Sequence, residues 1–254
     1  MIIQVNKLPS NFKPYLFKSF KMKAMSLQQA IDLGKEPKLA DIAALLQTLV
    51  GDEIDASVLV PVDVKFLLSM LAFHAYPKQG WTLDLTCPYC GKSHKRSVTI
   101  KDFPPVPSLS DDDPYPLTID DGVHVWAMGY ANLEATDAMI ELLRAKNLQN
   151  KPVEEITKDM DTAKAIDLVL PYILSVDDSK EGIKEKLLSL EDFGVLDLML
   201  EVIQKYFVEE TYSEFECPEC KKKYRVPMSA IEVTQYTPFP NKEATRRYKV
   251  NFRL

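Results

Sequence analysis

Glycine is too scarce in this chain to furnish a flexible active-site lid, with eight residues among 254. The motifs that need glycine or paired histidine are missing as well: there is no Gly-rich phosphate loop, no nucleophile elbow and no His-Glu-x-x-His. Only three histidines occur, and His74, His94 and His124 fall in separate contexts: a hydrophobic helix, a strand beside a cysteine pair, and a hairpin. Acidic pairs such as Asp120-Asp121 and Glu154-Glu155 read as turn formers and helix N-terminal charge. We therefore expect a protein that is not an enzyme and takes no small-molecule substrate. An excess of positive charge is also missing. The formal net charge is -6, whereas gripping a phosphate backbone depends on concentrated Lys and Arg, so no nucleic acid is expected as the main partner. The longest apolar stretch, Phe66 to Phe73, is interrupted by Ser69 and flanked by Lys65 and His74, which falls short of a membrane span. No cleavable signal peptide is recognised, so the expected place of synthesis and assembly is the cytoplasm.

Cysteine is limited to four residues, and these form two near-identical tetrapeptides, Cys87-Pro88-Tyr89-Cys90 and Cys217-Pro218-Glu219-Cys220. A Cys-x-x-Cys turn offers two thiolates from one tight loop, and two such turns supply the four ligands of a tetrahedral zinc. Cys87, Cys90, Cys217 and Cys220 are thus the expected ligands of one structural zinc, a closed site with no open position. The likeness extends to the flanks. Trp81–Thr86 and Thr211–Glu216 read as half-buried strands entering the turns, with Leu85 and Phe215 two residues before the first cysteine of each pair. Arg96 to Ile100 and Arg225 to Met228 alternate as returning strands, and His94 is matched by Tyr224. Other uses of the cysteines fit less well. Cys-Pro-Tyr-Cys is also a glutaredoxin-like redox motif, but there a helix follows, and here Gly91 and a β-like run do. Disulfides within adjacent Cys-x-x-Cys pairs are strained, and nothing indicates an oxidising compartment.

The expected fold class is α+β: a split four-cysteine zinc ribbon with N-terminal strands and helices and a mostly helical insertion between its two knuckles. Residues 1–103 form the N-terminal region ending in the first knuckle. Residues 104–208 form a hairpin plus helical bundle, and residues 209–254 the second knuckle and a basic arm. Within the first region, a strand over Met1 to Val5 ends in the turn Leu8-Pro9-Ser10, and a second strand runs from Tyr15 to Met22. Ser26 and Gln29 have capping-box spacing for a short helix that ends near Gly34. Further helices start close to Asp41 and near Pro61 and Asp63, the latter apolar on most sides and hence buried. In the insertion, Pro116 to Ile119 and Val123 to Met128 flank Asp120-Asp121-Gly122 as a hairpin. Helical spacing follows over Leu133 to Leu143, Glu154 to Tyr172 with a break at Pro171, and Ile183 to Leu190. Ser189 with Asp192 is expected to cap a last helix through Phe207. The tail ends in a basic, alternating stretch containing Arg246, Arg247, Tyr248, Lys249, Phe252 and Arg253. It reads either as a terminal strand on its own sheet or as an arm that adds to a neighbour's sheet edge.

The order of Leu8-Pro9-Ser10, Phe20-Lys21-Met22-Lys23 leading into a capped helix, a hydrophobic helix with Asp63 near its start, and Cys87-Pro88-Tyr89-Cys90-Gly91 resembles the T-even-type bacteriophage baseplate hub family. The likeness covers mainly residues 1–100. It implies a structural part in the baseplate of a contractile tail, made in the host cytoplasm and carried in the virion. The implied partners are other tail proteins, of tube, hub or wedge, in several symmetric copies. A transient hub assembly factor is the alternative within that family. Outside it, the alternative is a nucleic-acid-binding zinc ribbon using Lys92, Lys95, Arg96, Lys221, Lys222, Lys223 and Arg225.

Overall fold

The computed structural model describes residues 1–26, 28–29, 32, 38–75, 81–104, 109–133, 135–136, 162–207, 212–227 and 249–250. At the N-terminus, β1 (Ile2–Val5) pairs antiparallel with β2 (Phe20–Lys23). Both strands alternate, so Ile3, Val5, Phe20 and Met22 are buried while their neighbours face out. The expected long second strand starts only at Phe20. Residues before it form turns in which Phe12, Tyr15, Phe17 and Phe20 pack ring against ring, with Tyr15 and Phe17 stacked at 4.8 Å. Aromatic packing on a curled backbone produces the same alternation as a strand. The capping box at Ser26 is present: Ser26 N–H donates to Gln29 Oε1 and Gln29 N–H to Ser26 Oγ. Most of the helix it begins, including Gly34 and Pro37, lies outside the described residues.

Helix α1 (Leu39–Val50) buries Ile42, Leu46 and Leu49 along one stripe, and the Asp41 carboxylate accepts from Lys38 N–H at its start. Helix α2 (Pro61–Ala75) buries Val64, Phe66, Leu67, Leu68, Met70 and Leu71, residues that surround the helix, which makes it the central element of this half. Its first turn also carries a buried polar knot. Asp63 accepts from Ser10 N–H at 2.9 Å, from Ser10 Oγ at 2.5 Å and from the Tyr15 hydroxyl at 2.6 Å, and Val60 N–H donates to that hydroxyl at 2.8 Å. The knot ties the N-terminal turn to the helix, and every member has a partner, as burial demands.

Next come the hairpin β3 (Trp81–Thr86) and β4 (Ser93–Val98), then β5 (Leu117–Asp120) and β6 (Val125–Met128) around the expected Asp120-Asp121-Gly122 turn. Trp126 is fully buried and donates its indole N–H to Asp121. The acidic run before β5 is held from the N-terminal turn, where the Lys13 ammonium donates to the carbonyls of Asp111 and Asp113, each at 2.7 Å.

Of the helix expected over Glu154 to Tyr172, residues 154–161 lie outside the described residues. Helix α3 (Thr162–Val169) stops where Pro171 enters a short 3-10 turn, and the chain then continues as β7 (Ile173–Val176), which pairs with β6 to complete a three-stranded sheet. Earlier in the chain, Asn132 caps the start of the helix expected over Leu133 to Leu143, accepting from Ala135 N–H, but most of that helix lies outside the described residues. Helices α4 (Ile183–Leu188) and α5 (Phe193–Val202) follow β7, and a π-helical turn extends α5 through Phe207. The cap of α5 is Asp192 alone, whose carboxylate accepts from Gly194 N–H; Ser189 closes α4 instead.

Finally, β8 (Tyr212–Glu216) and β9 (Lys223–Pro227) form a hairpin, and β10 (Lys249–Val250) lies parallel to β3. The buried side chains from Ile3 to Val226 belong to one contiguous cluster. Among the described residues no helix is long and apolar enough to cross a membrane.

Candidate metal centre

Each cysteine pair closes a hairpin, and the two turns are built alike. Cys87 N–H donates to Lys92 O at 2.9 Å and Gly91 N–H to Cys87 O at 2.9 Å; Cys217 N–H donates to Lys222 O at 3.0 Å and Lys221 N–H to Cys217 O at 3.0 Å. The residue after the second cysteine takes a left-handed conformation in both turns. Glycine supplies it in the first (Gly91, φ 68), and a lysine accepts it in the second (Lys221, φ 61). Registers correspond as well: Leu85 faces His94 and Thr86 faces Ser93, as Phe215 faces Tyr224 and Glu216 faces Lys223. Leu85 and Phe215 are both buried behind the cysteines, as their equivalent places in the sequence imply. The two hairpins belong to separate sheets.

All four sulfurs lie within 4.8 Å of one another. Cys87 Sγ is 3.6 Å from Cys220 Sγ, and Cys90 Sγ is 3.7 Å from Cys217 Sγ. These separations are far from a bonded disulfide, at about 2.05 Å. They match the edge of a tetrahedron of thiolates around a metal at about 2.3 Å, which is roughly 3.8 Å. The close pairs join the first cysteine of one turn to the second of the other, so the turns face each other about an approximate dyad. The two leading cysteines, Cys87 and Cys217, are buried, while Cys90 is exposed and Cys220 half-buried.

The thiols also divide in acidity. Burial pushes the Cys87 thiol up, but the N–H groups of Cys90 and Tyr89 and the neighbouring thiols outweigh it and bring it down to about 7. Cys90 accepts from Lys92 N–H, which favours its thiolate, yet burial and the three other sulfurs together push it up to about 12.

Contacts across the dyad hold the turns together. The Tyr224 hydroxyl and His94 Nε2 are 2.8 Å apart with their rings edge to face. His94 Nδ1 is buried without a partner. Arg96 lies over the Phe215 ring at 5.5 Å, and the Lys222 ammonium over the Tyr89 ring at 4.9 Å. Arg225, on β9, stacks over Tyr212 at 4.1 Å beside Glu214. Of the seven cations considered for nucleic acid, Arg96, Lys222 and Arg225 are thus engaged with rings. These cross-contacts were readable only in part: His94 and Tyr224 stand out as equivalent positions, whereas the pairing of cations with rings of the opposite hairpin leaves no local pattern.

His74 sits in α2 and His124 in the β5–β6 hairpin, away from the sulfurs, and partial burial holds the His74 imidazolium down. His124 Nδ1 lies 2.7 Å from Asp177, which also takes the Lys186 ammonium at 2.8 Å and Val125 N–H at 2.9 Å. With a positive φ at Asp177 and Asp178, this cluster braces the turn after β7. Of the basic arm, Lys249 lies in β10; Arg246, Arg247, Tyr248, Phe252 and Arg253 lie outside the described residues. The chain matches no protein-family model, no curated protein and no solved structure.

Proposed function

We propose that Cys87, Cys90, Cys217 and Cys220 hold one structural zinc, making a split zinc ribbon of the two hairpins, and that the protein is a permanent, non-enzymatic component of a contractile-tail baseplate. It acts through contacts with tube, hub or wedge proteins. The observation that carries the zinc reading is the convergence of all four sulfurs within 4.8 Å. Four thiolates are the donor set that a soft divalent ion prefers, and a site closed by four protein ligands is structural rather than catalytic. Bound there, zinc supplies cohesion between two hairpins that are each too small to persist alone. The chain's own residues do the rest: Leu85 and Phe215 seat the turns on the core, and His94 with Tyr224 locks their relative placement. The baseplate role is supported by the resemblance of residues 1–100.

Two measurements test the reading. Metal analysis with thiol titration on the purified chain is expected to give one zinc per chain and thiols slow toward alkylation. Two fast-reacting dithiols without metal would remove the zinc. Mass spectrometry of purified particles and of assembly intermediates from the native source is expected to find the chain in finished particles at a fixed, symmetric copy number. Presence in intermediates alone would make it an assembly factor, and absence from both would end the baseplate role.

A further inference from the structure

The molecule contains the same hairpin twice, and only one copy carries a third strand among the described residues. β3 and β8 hold equivalent places: each enters a cysteine turn and pairs on one side with a returning strand, Asp84 facing Lys95 in one and Glu214 facing Arg225 in the other. On its other edge β3 accepts β10 in parallel, with Lys249 opposite Asp84 and Val250 opposite Leu85. Among the described residues no strand pairs with the other edge of β8. An unpaired edge is a row of free N–H and C=O groups that templates another strand. We infer that this edge of β8 is the docking site for the C-terminal segment of a second copy of the chain, residues 246–253, added in parallel as β10 is on β3.

The occupant follows from the correspondence of the two edges. Glu214 stands where Asp84 stands and the buried Phe215 where the buried Leu85 stands, so the same register again sets position 249 opposite an acidic residue and position 250 opposite an apolar one. Charge points the same way. The segment carries Arg246, Arg247, Lys249 and Arg253 and no acidic residue, while the chain as a whole is at -6 and β8 exposes Glu214 and Glu216. Moving the segment from its own β3 to a neighbour's β8 exchanges like for like in the backbone ladder, and protein concentration then sets the balance. Such a contact joins two different surfaces, so repeated copies build a ring or a row rather than a two-fold pair. The inference stands on the duplicated hairpin and needs neither the identity of the metal nor the baseplate role.

The test is titration of a synthetic peptide of residues 244–254 into the full-length chain, read by fluorescence anisotropy and by hydrogen exchange. The expected result is saturable binding of one peptide per chain with new amide protection in 212–216. Glu214→Lys with Glu216→Lys weakens it at least tenfold, and a peptide carrying Lys249→Glu regains affinity for that variant. Both glutamates are exposed, so the double variant is expected to fold, and the charge-reversed pair reports even where the single exchange is ambiguous. Three results would overturn the inference: no saturable binding, protection confined to β3 with affinity lost in Asp84→Lys instead, or equal binding of a scrambled peptide of the same charge.

Discussion

Asp63 is completely enclosed, and burial pushes its carboxyl up from the ordinary value to about 6, even though Ser10 and Tyr15 donate hydrogen bonds that favour the ionised form. A carboxyl whose folded value exceeds its unfolded one contributes stability that is complete below about pH 4 and lost as pH rises through about 6. A rise of that size is worth at most about 3 kcal/mol. Asp63→Asn keeps the shape of the protonated acid and cannot titrate, so the stability of the parent relative to this variant should fall by up to about 3 kcal/mol between pH 4 and 7. Urea denaturation across that range measures it, and a pH-independent difference would contradict it. A second residue-scale expectation concerns the dyad. Tyr224→Phe removes the hydroxyl that meets His94 and leaves both ring nitrogens of His94 without a protein partner, which should cost about 1 to 3 kcal/mol at pH 7 in the same assay. A cost below about 0.5 kcal/mol would mean that the pair holds nothing in place. At this scale the sequence was readable where chemistry repeats: the cysteines announce themselves by spacing, and His94 matches Tyr224 by position. Asp63 was readable only as a residue near a helix start, because partners 53 and 48 positions away leave no local trace.

Among the elements, α1, α2 and the strands entering both cysteine turns fall where periodicity and flanking residues put them, whereas the returning strands begin earlier than expected, at Ser93 and Lys223, and Ile100 lies in a short 3-10 turn: β4 is largely exposed, so burial marks no alternation along it. The other misreadings share a cause, which is competition between short signals. No element is expected over Ile173–Val176, which is four residues long and follows a helical turn directly; only pairing with β6 makes it a strand. At the last long helix, Ser189 and Asp192 stand three apart and imitate a capping box, but the Ser189 hydroxyl donates back to Lys186 O, and its backbone N–H bonds belong to the end of α4. Asp192 therefore acts as the N-cap of α5 through its bond to Gly194 N–H. Asp192→Ala should destabilise the protein by about 1 kcal/mol, whereas Ser189→Ala should stay within about 0.5 kcal/mol. The reverse order in thermal or urea denaturation would restore Ser189 as the cap.

For the whole molecule, the site matters because of what lies between its halves. Cys90 and Cys217 are 127 positions apart in sequence and 3.7 Å apart at their sulfurs, so a metal held there closes a loop containing the entire insertion. A covalent closure of that length is worth on the order of 5 kcal/mol by chain-entropy reasoning, and a four-thiolate metal plays the same part as long as it stays bound. The N-terminal half does not depend on this staple to the same degree. β1, β2, α1 and α2 share buried contacts of their own and the Asp63 knot, whereas among the described residues β8 and β9 pair only with each other. Cys217→Ser should accordingly drop metal content from one per chain toward zero and strip amide protection from 212–227 first. Cleavage in the connector 104–113 should become faster while α1 and α2 keep their protection. Metal analysis, hydrogen exchange and limited proteolysis on the same preparation separate the possibilities. If protection were lost everywhere at once, the metal would support the single core globally. If the variant kept wild-type protease resistance and protection in the second hairpin, the contacts of Tyr224, Arg96 and Lys222 would suffice to hold the dyad and the metal would not be its staple.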